Sequence, residues 1–275
     1  MDITTYVQFT TKFANGTIYE QVLPASGATI TTVGDGSSGN FELSGASWTG
    51  SPSMSDYVVT INAPAVGVLG KLKLHKTVPS HYPCNLVEPG VSQELPGLPN
   101  IGWANAVPDS QATADFQVGD QLLKFYGYGY HDKNWGTRNL PNSVYSWYWG
   151  HLHIGPYSVV YFDILNSDLS EYTCGYLAKR ARVLSKTCKK GLTVRPTGVN
   201  ATFPPTGTSD EMTGFRLDFP TRYGHFWADL HGEFVWSPQL PRGGYTRFAG
   251  QITGGFKGQK TYTGAGVYEW IRWIE

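Results

Sequence analysis

A chain of 275 residues with 21 Lys+Arg against 21 Asp+Glu carries no net charge, which removes the electrostatic case for a nucleic acid or an anionic membrane as partner. No stretch approaches the ~20 apolar residues of a membrane span, and Met1-Asp-Ile-Thr-Thr lacks the basic start and apolar centre of a signal peptide. Thirty-three glycines, 17 prolines and 14% aromatics beside 15% charged residues indicate an all-β protein of many strands and turns, with an uncharged, apolar small molecule as its expected partner.

From Thr5 to about Lys76 short strand-like runs alternate with turn residues: TYVQF, TIYEQVL, ATITTV, then GDGSSG, YVVTINA and GVLGKLKLHK. Tyr57, Val59 and Ile61 alternate with Val58 and Thr60, the period of an antiparallel strand. This half, residues 1–110, reads as a β-sandwich or half-barrel. Prolines at 79, 83, 89, 96, 99 and 108 then predict a crossing loop over 78–107, since proline cannot donate to a ladder.

Residues 111–275 read as a second domain. Strands are predicted at 121–130, 144–154, 157–165, 171–178, 214–219, 226–236, 246–253 and 262–274, and about eight antiparallel strands close into a lipocalin-like barrel able to hold one ligand. Eight of the nine tryptophans lie from Trp103 onward. The run Gly127-Tyr-Gly-Tyr-His-Asp-Lys-Asn-Trp-Gly136 is the most polar and aromatic stretch, and HDKNWG is expected to leave its strand as a turn. Two roles stay open for His131, Asp132, Asn134 and Trp135: a mutually satisfied polar corner, or part of a binding site.

Several patterns carry possible chemistry. His151 and His153 share a strand face with Trp149, but no third or fourth metal ligand follows at suitable spacing, so no metal is expected. His225, Trp227, Asp229, His231 and Glu233 form either a solvated strand face or a polar barrel lining. Cys84, Cys174 and Cys188 show neither CxxC nor zinc spacing. A Cys174–Cys188 bridge across a hairpin and buried free thiols are the alternatives. Asn15-Gly-Thr17 and Asn200-Ala-Thr202 fit the glycosylation pattern and matter only in a secreted chain. No phosphate loop and no G-x-S-x-G elbow occurs, and no cofactor is expected.

GYGYHDKNWG, SWYWGH at 146–151 and GPYSVVYFD at 155–163 resemble the fungal Diels–Alderase family, pericyclases of polyketide and terpenoid pathways related more distantly to carotenoid 1,2-hydratases and AttH-type lipocalin-like proteins. GDGSSG, SWTG, HYPC, IGWANAVP, VRPTG and RFAGQITGG follow in family order nearly end to end. Members are usually longer at the amino terminus, so first strands absent here or supplied by another polypeptide are expected. The compartment stays unassigned for the same reason: cytoplasmic as the chain stands, secretory if a leader precedes it.

The resemblance implies a cofactor-independent [4+2] cycloaddition in a pocket between two β domains. Trp103, Trp135, Trp147, Trp149 and Phe248 are then the shape-setting residues, Tyr130, His131 and Asn134 the hydrogen-bond donors, and Lys257 or Lys260 the anchor of a dicarbonyl head group. Holding a flexible polyene in one reactive conformer can lower a barrier by up to ~7–11 kcal/mol. A preorganised donor on the dienophile carbonyl can add ~3 kcal/mol. The competing readings are hydration of an isoprenoid double bond, with Asp132 or Asp163 as an acid of raised pKa, and a lipocalin-like carrier without turnover. Substrate identity, stereochemistry and oligomeric state are not legible.

Overall fold

A computed structural model describes residues 5–138, 143–189, 191–206, 212–236 and 244–272. Nineteen strands follow in chain order. The first seven are β1 (Tyr6–Lys12), β2 (Ile18–Pro24), β3 (Ala28–Val33), β4 (Gly36–Phe41), β5 (Ala46–Gly50), β6 (Asp56–Ala63) and β7 (Val68–Lys76). Then come β8 (Glu94–Leu95), β9 (Leu98–Val118), β10 (Gln121–Gly136), β11 (Ser146–Ile154), β12 (Tyr157–Leu165) and β13 (Glu171–Lys179). The last six are β14 (Arg182–Thr187), β15 (Thr193–Thr197), β16 (Gly214–Thr221), β17 (Gly224–Trp236), β18 (Gly244–Phe256) and β19 (Tyr262–Arg272). The all-β class predicted from composition holds.

Two compact units emerge. The first contains residues up to Thr77 together with Asp109–Tyr130; the second contains Val78–Pro108 and residues from His131 onward. The expected division at 110/111 falls inside the single strand β9. In the first unit the hairpin β1–β2 lies over an antiparallel sheet whose order is β10-β9-β7-β6-β5-β4-β3. Phe9 meets Phe116 at 5.5 Å, and Leu23, Ile61, Val68, Ala114 and Val118 complete the layer between them. These are alternate residues on their strands, so the buried face follows directly from period-2 patterning.

The expected crossing loop over 78–107 holds for residues 78–93, where only isolated bridges at His81 and Leu86 occur, and fails from Glu94 onward, where strands begin. Residues 98–118 form one 21-residue strand. Its prolines fall where no ladder N–H is required. Pro99 stands at the strand's start, and Pro108 lies between Asn105, which exchanges both backbone bonds with His81, and Asp109, whose carbonyl accepts from Thr77. HDKNWG is likewise strand rather than turn, since β10 runs on through Gly136.

The second unit is a nine-stranded antiparallel sheet, ordered β14-β13-β12-β11-β19-β18-β17-β16-β15. Seven of the eight predicted segments match its strands β11–β13 and β16–β19. The eighth, 121–130, is β10 and belongs to the sheet of the first unit, which corrects its expected place in the barrel, while β14 and β15 escaped prediction because RVLSKT and TVRPT are short and carry little alternation. The sheet curls round one core. Tyr148, Leu152, Val159, Tyr161, Leu177, Phe215, Leu217, Phe226, Leu230, Ile252 and Tyr268 all point into it, and the backbone N–H of Val194 on edge strand β15 donates to Asp163 on β12 at 3.2 Å. Contact between strands so far apart in the sheet order requires a barrel-like closure.

Candidate active site

Strand β11, SWYWGHLHI, has two chemically different faces. Tyr148, Leu152 and Ile154 join the barrel core. Trp147, Trp149, His151 and His153 therefore face outward, yet the first three are buried. The cover comes from the crossing segment of the same unit. Trp103 and Trp147 both meet the Phe162 ring edge-on, at 4.8 Å and 5.0 Å. His81 stacks on Tyr176 at 4.0 Å, and the Tyr176 hydroxyl donates to the Pro79 carbonyl at 2.9 Å. Burial pushes the His81 imidazole down to about 4, so it is neutral at pH 7 and packs as an aromatic ring.

The predicted polar run anchors this wall. Trp103 Nε1 donates to the Asp132 carboxylate at 2.7 Å, and Asn105 Nδ2 donates to the His131 carbonyl at 2.9 Å. Trp135 lies against Gly102, where a Cβ would stand 2.2 Å from the indole, and Lys133 covers its ring at 5.6 Å. Burial also lowers His131 to about 4. The polar corner is realised in part: Asp132 is satisfied by Trp103, whereas Asn134 and Trp135 are exposed. Tyr130 is half-buried at the end of the first unit.

The sheet register extends the wall sideways. Trp149 pairs with Phe162 on one side and Glu269 on the other, and Glu269 pairs in turn with Arg247. One cross-strand row therefore carries Phe162, Trp149, Glu269 and Arg247. Glu269 accepts from Arg247 Nε at 2.9 Å and from the Tyr245 hydroxyl at 2.6 Å, so the guanidinium is held in place two strands from Trp149 on the same row, with Trp236 at 5.8 Å. Burial and then the Glu269 charge push the Tyr245 hydroxyl upward, keeping it a donor. Sequence reading quoted Arg247 only as part of RFAGQ. What would have found it is the register, which a single sequence does not print.

The other predicted residues lie elsewhere. Phe248 is on the inner face, stacked on Tyr268 at 5.1 Å. Lys257 is exposed and paired with Asp218 at 3.2 Å; Lys260 is exposed over the Tyr262 ring at 5.1 Å. Both lysines follow the β18 end of the barrel, where β11 reaches Ile154, while Trp147 pairs with Ile271 at the other end. Seven residues of strand, ~23 Å, separate these ends. Phe226, Ala228 and Leu230 face the core, which leaves Trp227 and Asp229 on the outside, so their column is the solvated face. Asp229 is held by Arg216 at 2.7 Å.

The barrel interior holds a second polar centre. Asp163, with no exposed side-chain surface, pairs with Arg195 at 2.9 Å, and Arg195 also reaches Glu171 at 2.8 Å. Burial and then the Glu171 charge raise Asp163 to about 8, against the pull of Arg195 and the Val194 N–H. Its second oxygen, the Tyr161 hydroxyl and the Trp270 N–H are buried without a hydrogen-bond partner among the described residues. Tyr148 sits directly across from Asp163. Gly150 makes room there: a Cβ would stand 2.5 Å from the Tyr161 ring.

Among the described residues one cluster has metal-ligand character, Cys84, Cys174 and Cys188. Cys84 and Cys188 form a disulfide across 104 residues, leaving Cys174 as a lone thiol, which does not make a metal site. The expected alternative of a Cys174–Cys188 bridge is corrected by this pairing. The crossing segment delivers Cys84 to the barrel.

A model of the family described as Diels-Alderase-like matches residues 4–273. The chain is 37% identical over 266 residues to the quinolone epoxide rearrangement protein penF of Penicillium thymicola, covering 94% of this chain and 72% of that protein. It is 33% identical over 261 residues to the quinolone epoxide rearrangement protein asqO of Emericella nidulans, covering 94% and 70%. Among solved structures, CghA with Sch210972 superposes with a TM-score of 0.80 at 16% identity, over 98% of this chain and 80% of that one.

Proposed function

From the premise that the chain belongs to the Diels-Alderase-like family, we propose that it closes rings by an atom-conserving, cofactor-independent isomerisation of an apolar secondary metabolite. The observation that carries this is the family match over residues 4–273. It is an isomerase-type cyclase, and hydration and mere carriage are not favoured. The reaction we assign first is a [4+2] cycloaddition on the outer face of β11. Trp103, Trp147 and Trp149, buried under the crossing segment, back the surface that holds a polyene in its reactive conformer, with the exposed Trp135 at the margin. Arg247, fixed by Glu269, donates to the dienophile carbonyl, where charge grows as the two new bonds form. The donors His131 and Asn134 are kept as candidates at the edge of this wall, and Tyr130, which closes the first unit, as a candidate with no place assigned in it. Lys257, Lys260 and Phe248 are not, for the distances and faces given above.

A second reading has its own observation. Relatives at 37% and 33% identity are named for rearrangement of a quinolone epoxide, and Asp163 is a buried carboxyl raised to about 8. A protonated Asp163 donates to the epoxide oxygen as its C–O bond breaks. A neighbouring bond then migrates to, or a neighbouring group attacks, the cationic carbon, and the proton lost in that step returns to Asp163. Mass is conserved here too.

The two are separated by incubating the protein with a linear polyene bearing a conjugated diene and an enone, and with a quinolone whose side chain carries an epoxide. Loss of the diene resonances by NMR supports the first; loss of the oxirane resonances supports the second. Recovery of both compounds unchanged, against a no-enzyme control, would sink the proposal for these substrate classes.

A further inference from the structure

The three cysteines are arranged in a line of access. A groove of about 640 Å³ opens on the Cys84–Cys188 bridge. Its wall carries Lys186, Lys189 and Arg222 and no carboxylate, so it is a positive surface with a disulfide in it. Behind the bridge, on the outer face of β13 and away from the groove, Cys174 is 2% exposed. Its Sγ lies 3.0 Å from Cys188 Sγ, closer than two unbonded sulfurs in ordinary contact, and all three sulfurs are within 4.8 Å of one another.

We propose that Cys84, Cys174 and Cys188 form a thiol–disulfide exchange site, served by an anionic small-molecule thiol entering the Lys186/Lys189/Arg222 groove, which converts the Cys84–Cys188 bridge into Cys174–Cys188. The thiolate attacks Cys188 Sγ, forming a mixed disulfide and releasing Cys84 as thiolate. Cys174 then attacks Cys188 Sγ and expels the small thiolate, while the Cys174 proton passes to Cys84. One S–S bond exists before and after, no oxidant or reductant is consumed, and the external thiol is regenerated. Burial holds Cys174 as a thiol, with its pKa pushed up, so it is a poor first nucleophile, and an entering thiolate supplies that first attack.

The conversion changes what is tied to what. The present bridge fixes the crossing segment, three residues beyond His81, to the barrel across 104 residues. The alternative joins two barrel positions 14 residues apart. The segment that carries His81 and Trp103, hence one side of the aromatic wall, loses its disulfide tie and is then held by packing and by hydrogen bonds such as Tyr176 to Pro79 and Trp103 to Asp132. This inference does not depend on which ring-forming reaction the wall serves.

The test uses the whole purified protein with reduced glutathione as the anionic thiol. After timed incubation, free thiols are alkylated and the non-reduced digest is read by mass spectrometry. The expected result is a growing Cys174–Cys188 peptide pair with alkylated Cys84. In Cys174→Ser a glutathione adduct accumulates on Cys188 instead. Lys186→Glu with Lys189→Glu slows the conversion by glutathione about tenfold or more and leaves the rate with uncharged 2-mercaptoethanol within twofold of wild type. Release of Cys84 and Cys188 as free thiols with no Cys174–Cys188 pair would overturn the exchange. Equal slowing with both thiols would overturn the role of the groove.

Discussion

The two faces of β11 show how the same nine residues serve two purposes. Outward, Trp147 and Trp149 lie under the crossing segment and beside the fixed Arg247–Glu269 pair. That is an apolar wall with a preorganised cation at its margin. Inward, Tyr148 faces Asp163 and its Arg195–Glu171 partners at the rim of an apolar core, a place where one proton can be held and released. The outer face suits charge that develops weakly over a large hydrocarbon; the inner face suits full proton transfer to a small strained ether. The difference lies in electrostatics more than in shape.

The largest effects separate the faces directly. Arg247→Ala should lower diene cyclisation by ~10²–10³-fold, the loss typical of a preorganised donor, and leave epoxide opening within a few-fold. Asp163→Asn should do the reverse, lowering epoxide opening by ~10²–10⁴-fold while the amide keeps the carboxyl's volume. Steady-state rates on the two probe substrates check both, and parallel losses would mean that the faces are not independent.

Removing a ring from the wall tests its structural share. Trp147 is 5% exposed and edge-on to Phe162, so Trp147→Ala should cost ~3–5 kcal/mol through the cavity it leaves. Denaturant unfolding reads this. Trp135→Ala, at a 39% exposed residue, should leave unfolding within ~1 kcal/mol and alter product selectivity alone.

The pH dependence has opposite signs on the two faces. His81, outside, has its folded pKa lowered to about 4, below the ~6.5 of an unfolded histidine. Its contribution is present above pH ~6.5 and is lost as pH falls toward 4, on the order of 3 kcal/mol in all. Asp163, inside, has its folded pKa raised to about 8, above the unfolded ~3.9. Its contribution is full below ~3.9 and is lost as pH rises through 8. His131, lowered likewise to about 4, adds a second rising slope between pH ~4 and ~6.5 that outweighs the falling slope of Asp163, so urea midpoints from pH 4 to 9 should form a dome. His81→Phe should flatten the acid limb and Asp163→Asn the alkaline one. Epoxide opening should also fall as pH rises through about 8.

The smallest effect is expected far from both faces. Lys257→Ala removes an exposed ion pair with Asp218, a change of ~0–1 kcal/mol, and should leave product ratios unaltered. A changed ratio would bring that end of the barrel back into the site.

Much of this was legible in the sequence. Alternation gave the faces of β6 and β11, and the shared side of Trp149, His151 and His153 follows from period two alone. The family motifs pointed to Trp103, Trp135 and Trp147; the fold joins Trp103 and Trp147 through Phe162 and sets Trp135 against Gly102. Three things were hidden. Prolines at 99 and 108 read as breaks because their tolerated positions depend on partners far away in the chain. Arg247 joins Trp149 only through the register of β18, β19 and β11. Asp163 was singled out, but not the tyrosines around it, because tryptophans on the opposite face of β11 dominated the pattern.

The measurement that bears most directly on the central claim is product mass after turnover of the two probe substrates in ¹⁸O-labelled water. The account predicts a product of new retention time, the mass of its substrate and no label. Gain of one labelled water would contradict it, and would make this chain a hydratase or hydrolase working in the same barrel.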